Sequence, residues 1–292
     1  MPETRPADGT VTWRALWSGA AAATGDRVVA RWLCEHASGF ERDEFDGALD
    51  EPATQRQVAH LDAMTARVAA GDPVQYVMGR WAFRHLDVMV DGRVLIPRPE
   101  TELIVEHVLA FCGGRRRDGT VTIADLGTGS GVIGLSLLAE LPAASAEVWM
   151  TDESAAAIDV ARANAAGIGR AAVHARFAVG NWCDALPESL AGQLDVIVSN
   201  PPYVALDDPH LEDSVRSHEP HGALFAGPDG LDDVRVIVEQ APRWLAPGGM
   251  LIIEIGRSQG ADVVEMFTAA GFDGVVLHHD LAGHDRFVAG LR

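Results

Sequence analysis

Apolar positions recur at two different spacings along this chain, and the change of period divides it. Between residues 11 and 72 they follow the turn of a helix. Trp13, Leu16 and Trp17 fall at i, i+3 and i+4; Val28, Val29, Trp32 and Leu33 repeat that spacing, as do Val58, Leu61, Met64, Thr65 and Val68. Gly71-Asp72-Pro73 then stops the last helix. The Trp and Met residues of this stretch read as the core of a small helical domain. Around Trp81 the period falls to two: Leu86, Val88 and Val90 alternate, Asp91-Gly92 supplies a turn, and Val94 and Ile96 resume, which predicts a β-hairpin. Pro97-Arg98-Pro99 and the acidic Glu100-Thr101-Glu102 follow, then the stripe Leu103, Ile104, Val105, Val108 and Leu109. Proline suits the first turn of a helix, and acids there complement its dipole.

From Thr120 onward strands and helices alternate, the pattern of an open α/β sheet. The predicted strands are Val121–Asp125, Glu147–Thr151, Ala172–Val179, Leu194–Ser199, Met250–Ile255, Gly274–His278 and Arg286–Leu291, with helices near 131–140, 154–165, 229–242 and 259–270. Pro247-Gly248-Gly249 and Gly271-Phe272-Asp273-Gly274 read as turns. The expected division is a helical domain over 1–78, a hairpin linker over 79–98 and an α/β domain over 99–292.

Composition narrows the partners. Hydrophobic residues make up 48% and charged ones 22%, a balance that favours a folded globular chain over disorder. The formal net charge is −19, and every Lys+Arg position is an arginine. Nucleic-acid affinity rests largely on neutralised phosphates, so this balance argues against DNA or RNA as a partner. The longest basic run is Arg115-Arg116-Arg117, beside glycines. The start MPETRPADGT lacks the pattern of a signal peptide, and no apolar run reaches about 18 residues. A cytoplasmic protein with no membrane partner is expected. Cys34, Cys112 and Cys183 show no CxxC spacing, so neither a disulfide framework nor a metal site is expected.

Asp125-Leu-Gly127-Thr-Gly129-Ser-Gly131 follows the first strand of the sheet and opens a helix. Glycines let a backbone turn sharply and approach a ligand closely. Gly129-x-Gly131-x-x-Gly134 also matches the dinucleotide fingerprint, and Asp152 ends the second strand, where it can accept from ribose hydroxyls in either case. The loop alone leaves dinucleotide and S-adenosylmethionine open. Asp125, at the strand end, is expected to face the cationic methionine portion of S-adenosylmethionine; a pyrophosphate would be repelled there.

Asn200-Pro201-Pro202-Tyr203 decides between them. It follows the strand Leu194–Ser199, so it shares a crevice with the glycine loop beyond the strand ends. A planar amino nitrogen is a poor nucleophile because its lone pair is delocalised. The Asn200 side-chain oxygen and the Pro201 carbonyl can accept its two N–H groups and orient it, the prolines stiffen the loop, and Tyr203 can pack against the flat group. The expected reaction is methyl transfer from S-adenosylmethionine to such a nitrogen, in a nucleobase of DNA or RNA or in a glutamine amide.

The sequence resembles the release-factor glutamine methyltransferases, the PrmC/HemK-type proteins. The matching segments are Pro73-Val-Gln-Tyr-Val-Met-Gly79, Leu95-Ile-Pro-Arg-Pro-Glu-Thr-Glu102, Asp125 to Gly131, Asn200 to Tyr203, Glu219-Pro-His-Gly-Ala-Leu-Phe225 and Glu254-Ile-Gly256. The resemblance implies a seven-stranded class I S-adenosylmethionine methyltransferase sheet, Rossmann-like, behind a helical domain that docks the substrate. It implies a methyl acceptor in the Gly-Gly-Gln glutamine of class I peptide-chain release factors. It further implies that Gly127, Thr128, Gly129, Ser130, Gly131 and Asp152 bind S-adenosylmethionine, that Asn181 and Trp182 lie along the adenine, and that Asn200 to Tyr203 hold the glutamine. Asn181 stands where the family usually has an aspartate, so an amide contact replaces a carboxylate one. Arg98, between its prolines, reads as an arginine at an interface between domains or as a contact to the release factor, the interface being favoured. His210, Glu212, Asp213, His218, Glu219 and His221 match no familiar metal spacing and read as a solvated loop facing substrate.

Overall fold

The computed structural model describes residues 10–114, 119–209 and 211–292. Arg115 to Arg117 and His210 lie outside the described residues. The chain divides into two compact units, 1–80 and 81–292.

The first unit is helical: α1 (Trp13–Thr24), α2 (Arg27–Ser38), α3 (Arg42–Gly47), α4 (Gln55–Ala69) and α5 (Val74–Met78). Helices α1, α2 and α4 start on side-chain caps. Asp26 accepts from the N–H groups of Val28 and Val29, and Thr54 and Gln57 cap each other reciprocally at the start of α4. Trp13, Leu33, Cys34, Phe45, Leu61 and Met64 fill the core, with Trp13 edge-on to Phe45 at 5.9 Å. Val28 leaves the predicted stripe and is exposed: α2 turns Ala30, Leu33, Cys34 and Ala37 inward instead.

The hairpin is earlier and tighter than the alternation predicts. Strands β1 (Arg80–Phe83) and β2 (Leu86–Met89) pair across Arg84-His85, with Arg84 at φ 50°. Asp91 turns the chain as expected, its carboxylate accepting from the Arg93 N–H, but no strand follows. The Ile96 N–H goes to the Glu219 carboxylate at 3.1 Å rather than to a neighbouring strand. Helix α6 (Glu102–Gly114) begins after a short 3-10 turn at Pro99–Thr101.

The sheet carries all seven expected strands: β3 (Val121–Leu126), β4 (Ala146–Asp152), β5 (Ala175–Val179), β6 (Leu194–Ser199), β7 (Leu245–Glu254), β8 (Asp273–His279) and β9 (Asp285–Leu291). Helices α7 (Val132–Glu140), α8 (Ala155–Ala165), α9 (Asp213–His218), α10 (Asp232–Trp244) and α11 (Gly260–Ala269) connect them. The order is β5-β4-β3-β6-β7-β9-β8, with β9 antiparallel to both its neighbours and the rest parallel. This is the class I S-adenosylmethionine methyltransferase fold. The chain runs outward from β3 to β5 on one side and from β6 on the other, so β3 and β6 bracket the topological switch point where such sheets bind ligands.

Two expectations shift. Strand β5 starts at Ala175, not Ala172, because residues Ala166–His174 take 3-10 turns and the pairing with β4 begins only at Val148↔Ala175. Pro247-Gly248-Gly249 lies within β7 rather than in a turn. A Cβ at Gly249 would stand 2.8 Å from the Leu194 carbonyl oxygen, and the register shifts there between Leu194 and Val196. Among the described residues no helix is long and apolar enough to cross a membrane.

Candidate active site

Leu126 pairs with Ser199, and the Ser199 hydroxyl donates to the Leu126 carbonyl at 2.7 Å. Gly127 and Asn200 therefore leave the sheet side by side, from adjacent strands that lie about 5 Å apart. Beyond them opens a cavity of about 510 Å³, within the usual range for a small-molecule site. Its wall contains Gly127, Thr128, Gly129 and Ser130, then Asp152, Asn181, Trp182, Asn200 and Pro202, together with Arg98, Thr101, Phe225 and Asp233.

The glycine loop is braced from below. Asp125 is fully buried, its Oδ2 accepting from the Thr128 hydroxyl at 2.6 Å and from the Gly134 N–H at 2.9 Å. Burial pushes its carboxyl up to about 6, against the pull of those two donors. It lies behind the cavity wall, so it does not face a ligand as the sequence suggests. Gly131 is likewise behind the wall: at φ 87° it starts α7, and a Cβ there would meet Leu135 Cδ1 at 3.0 Å and Ala161 Cβ at 3.2 Å. Asn164 of α8 holds the loop from the other side. Its Nδ2 donates to the carbonyls of Ser130 and Met89, and its Oδ1 accepts from the Met89 N–H at 2.7 Å.

Asp152 does line the cavity. Its carboxylate accepts from the N–H groups of Gly129 and Ser154, both at 2.9 Å, and burial raises its pKa. A carboxylate has about four lone-pair directions, so two remain for hydroxyls. Trp182 sits at φ 40°, a left-handed conformation that is strained for a bulky residue. Its ring packs over Gly127, where a Cβ would stand 3.1 Å from Cζ3, and its indole N–H donates to the Asp233 carboxylate. Asn181, exposed, precedes it in the same wall.

These residues fit S-adenosylmethionine better than a dinucleotide. The cavity's arginines are engaged, Arg93 with Asp91 and Arg98 with Glu219, whereas Asp152, Glu153 and Asp233 have no cationic partner among the described residues. An acidic wall attracts a cationic ligand and repels a pyrophosphate. The missing side chain at Gly127 leaves the room that the Trp182 ring occupies.

The four residues of the Asn-Pro-Pro-Tyr loop divide. Asn200 and Pro202 line the cavity; Pro201 is buried, and Tyr203 turns inward. The Tyr203 hydroxyl donates to Glu254 Oε1 at a long 3.4 Å, burial raises its pKa, and the cavity wall does not include it. Asn200 Nδ2 donates to Thr101 Oγ1 at 3.2 Å, and Thr101 donates to Glu254 Oε2 at 2.7 Å. Burial pushes Glu254 up to about 7, with Thr101, Arg286 and Tyr203 pulling it back. Arg98, expected between domains, is engaged within the second unit, donating to Glu219 at 2.5 Å. Glu219 is buried and so is not part of a solvated loop, while Phe225 at the end of that loop reaches the cavity. Among the described residues no group of three or more His, Cys, Asp or Glu side chains is placed to hold a metal.

Residues 20–79 match the family described as PrmC N-terminal domain, and residues 101–214 match Methyltransferase small domain. The chain is 42% identical to the release factor glutamine methyltransferase of Xylella fastidiosa over 91% of its own length and 93% of that protein. It is 41% identical to the one from Burkholderia pseudomallei, over 91% and 92%. For Geobacter sulfurreducens the figures are 38% identity over 90% and 89%.

The chain belongs to the release factor glutamine methyltransferase family.

In this methyltransferase, Asp233, Asn164 and the Thr101–Glu254 link do not stand out in the sequence. Asp233 reads there as one of two acids in the first turn of α10, where acids are ordinary. Thr101 and Glu254 lie in segments that carry the family resemblance, but 153 positions separate them, and no local spacing joins them.

Proposed function

We propose that this chain methylates the side-chain amide nitrogen, N5, of the glutamine in the Gly-Gly-Gln motif of class I peptide-chain release factors, with S-adenosylmethionine as methyl donor. The observation that carries this reading is the setting of Asn200. Its Nδ2 is bound to Thr101, and its Oδ1 accepts nothing from the described residues in the wall of a cavity that begins at the glycine loop. When bound, S-adenosylmethionine supplies a methyl group on a positively charged sulfur, already activated toward attack. No base is then needed beforehand, and orientation is what the chain contributes.

Asn200 Oδ1 accepts one N–H of the glutamine amide, and the Pro201 carbonyl is assigned the other. Together they turn the nitrogen lone pair out of the amide plane's conjugation and toward the donor. Pro201 and Pro202 fix their own φ near −65°, so the loop does not reorganise as charge develops. Asp152 is assigned the ribose hydroxyls, Trp182 and Asn181 the adenine, and Gly127 to Ser130 the close backbone approach. Tyr203 serves from behind, through Glu254. The helical first unit, whose residues 20–79 match the PrmC N-terminal domain, is assigned to docking the release factor.

Mass spectrometry of a release factor after incubation with the protein and S-adenosylmethionine tests the reading. One added methyl is expected on the Gly-Gly-Gln peptide, and none when that glutamine is replaced by alanine. Methyl transfer that ignores the replacement, or no transfer at all, overturns it.

A further inference from the structure

An asparagine side chain presents two ends of nearly equal size and opposite character. To receive an N–H from a substrate amide, Asn200 must offer its oxygen; turned over, it would set one NH2 group against another. Something has to choose the orientation. Thr101, from the turn before α6, and Glu254, at the end of β7, meet behind Asn200, and they are 2% and 0% exposed. A threonine hydroxyl has one proton to give. Here it goes to Glu254 Oε2 at 2.7 Å, so the hydroxyl meets Asn200 only as an acceptor, and Nδ2 donates to it at 3.2 Å. With the amide reversed, Oδ1 would oppose a lone pair and that hydrogen bond would be lost.

We infer that Thr101 and Glu254 are positioning residues for the reaction: they fix the amide of Asn200 so that its oxygen, not its nitrogen, faces the cavity. This rests on the assignment of Asn200 as the acceptor for the substrate amide. It also gives a task to two segments that carry the family resemblance and that the binding of substrate and donor leaves unused, Pro-Glu-Thr101 and Glu254-Ile-Gly. The same Glu254 receives the Tyr203 hydroxyl, so the loop's last residue supports its first through one carboxylate.

Thr101→Val keeps the shape and removes the hydroxyl, Thr101→Ser keeps the hydroxyl, and Glu254→Met removes both carboxylate oxygens, leaving the Thr101 proton free to turn toward Asn200. Steady-state kinetics on a release factor are compared with calorimetric binding of S-adenosylmethionine. Thr101→Val and Glu254→Met are expected to lower kcat by about 10- to 100-fold while the Kd for S-adenosylmethionine stays within about twofold. Thr101→Ser should recover kcat to within about threefold, and the double variant should be no worse than the poorer single one, because both act through the same amide. Parental kcat in Thr101→Val, or a Thr101→Ser variant as impaired as Thr101→Val, overturns the inference. Should Thr101→Val not fold, Glu254→Met alone decides: parental kcat overturns the inference, and a lowered kcat with unchanged donor Kd supports it. Asn200→Ala is run beside them. If it retains parental turnover, the acceptor assignment itself fails; if it loses turnover while Thr101→Val does not, only the positioning role fails.

Discussion

Trp182 closes over Gly127 so tightly that a methyl group on the glycine would stand 3.1 Å from the indole Cζ3. The two residues come from loops at the ends of different strands, and their fit shapes the inner end of the cavity. Gly127→Ala would meet two penalties. One is the left-handed φ of 69°, which costs a residue with a Cβ about 1–2 kcal/mol; the other is displacement of the ring. The strain lowers stability, while displacement of the ring disturbs the site; the expected result is a tenfold or greater rise in the Kd for S-adenosylmethionine, about 1.4 kcal/mol of binding free energy. An unchanged Kd by calorimetry would remove Trp182 from the donor site.

Asn200→Ala should lower turnover by about 10²-fold with the fold and donor binding intact, because it deletes one orienting acceptor in a preorganised site. Circular dichroism and donor calorimetry establish the intact state, and the kinetics then report the lost acceptor alone. Turnover equal to the parent would dismiss the clamp.

Arg98→Ala would leave Glu219, 4% exposed, with the Ile96 N–H as its remaining donor. Removing one partner of a buried pair costs about 3–5 kcal/mol; Arg98 itself is 31% exposed, so the lower end applies. Urea unfolding should show the loss, and replacing Glu219 by Gln together with Arg98→Ala should restore part of it. A single Arg98→Ala variant within about 0.5 kcal/mol of the parent would show that the pair does not hold the loop.

Asp125 makes stability depend on pH. Burial raises its folded pKa to about 6, above the ordinary 3.8. A carboxyl with a raised folded pKa contributes fully below the unfolded value and loses that contribution as pH climbs through the folded one. The loss therefore falls between pH 3.8 and about 6, and amounts to roughly 2–3 kcal/mol. Asp125→Asn keeps an acceptor for Thr128 and Gly134 and has no charge to bury, so its stability relative to the parent should rise from pH 4 to pH 7. Equal differences at both ends of that range would refute the assignment.

The sheet was legible because its strands are apolar runs between clear turn residues, and a class of fold follows once such runs alternate with helical stripes. The cavity was legible where a motif is local: Gly127 to Ser130, Asp152, Trp182 and Asn200 all lie in its wall. What escaped was contact made across the fold. Gly131 and Asp125 belong to the motif but serve the packing beneath it, and Tyr203 turns toward a carboxylate 51 positions away. The hairpin was misplaced for a similar reason. Alternation from Leu86 to Ile96 is real, but a buried Glu219 takes the Ile96 N–H that a strand would have used.

The reversed strand β9 has a consequence for the site. Strand β8 pairs with β9, and β9 in turn lies between it and β7, with Phe287 set opposite Glu254. Without residues 285–291, β8 would have no neighbour in the sheet and the carboxylate behind Asn200 would lack one of its two flanking strands. The support behind Asn200 in this fold therefore reaches across the sheet to a strand from the C-terminal hairpin, set in the middle of one wing.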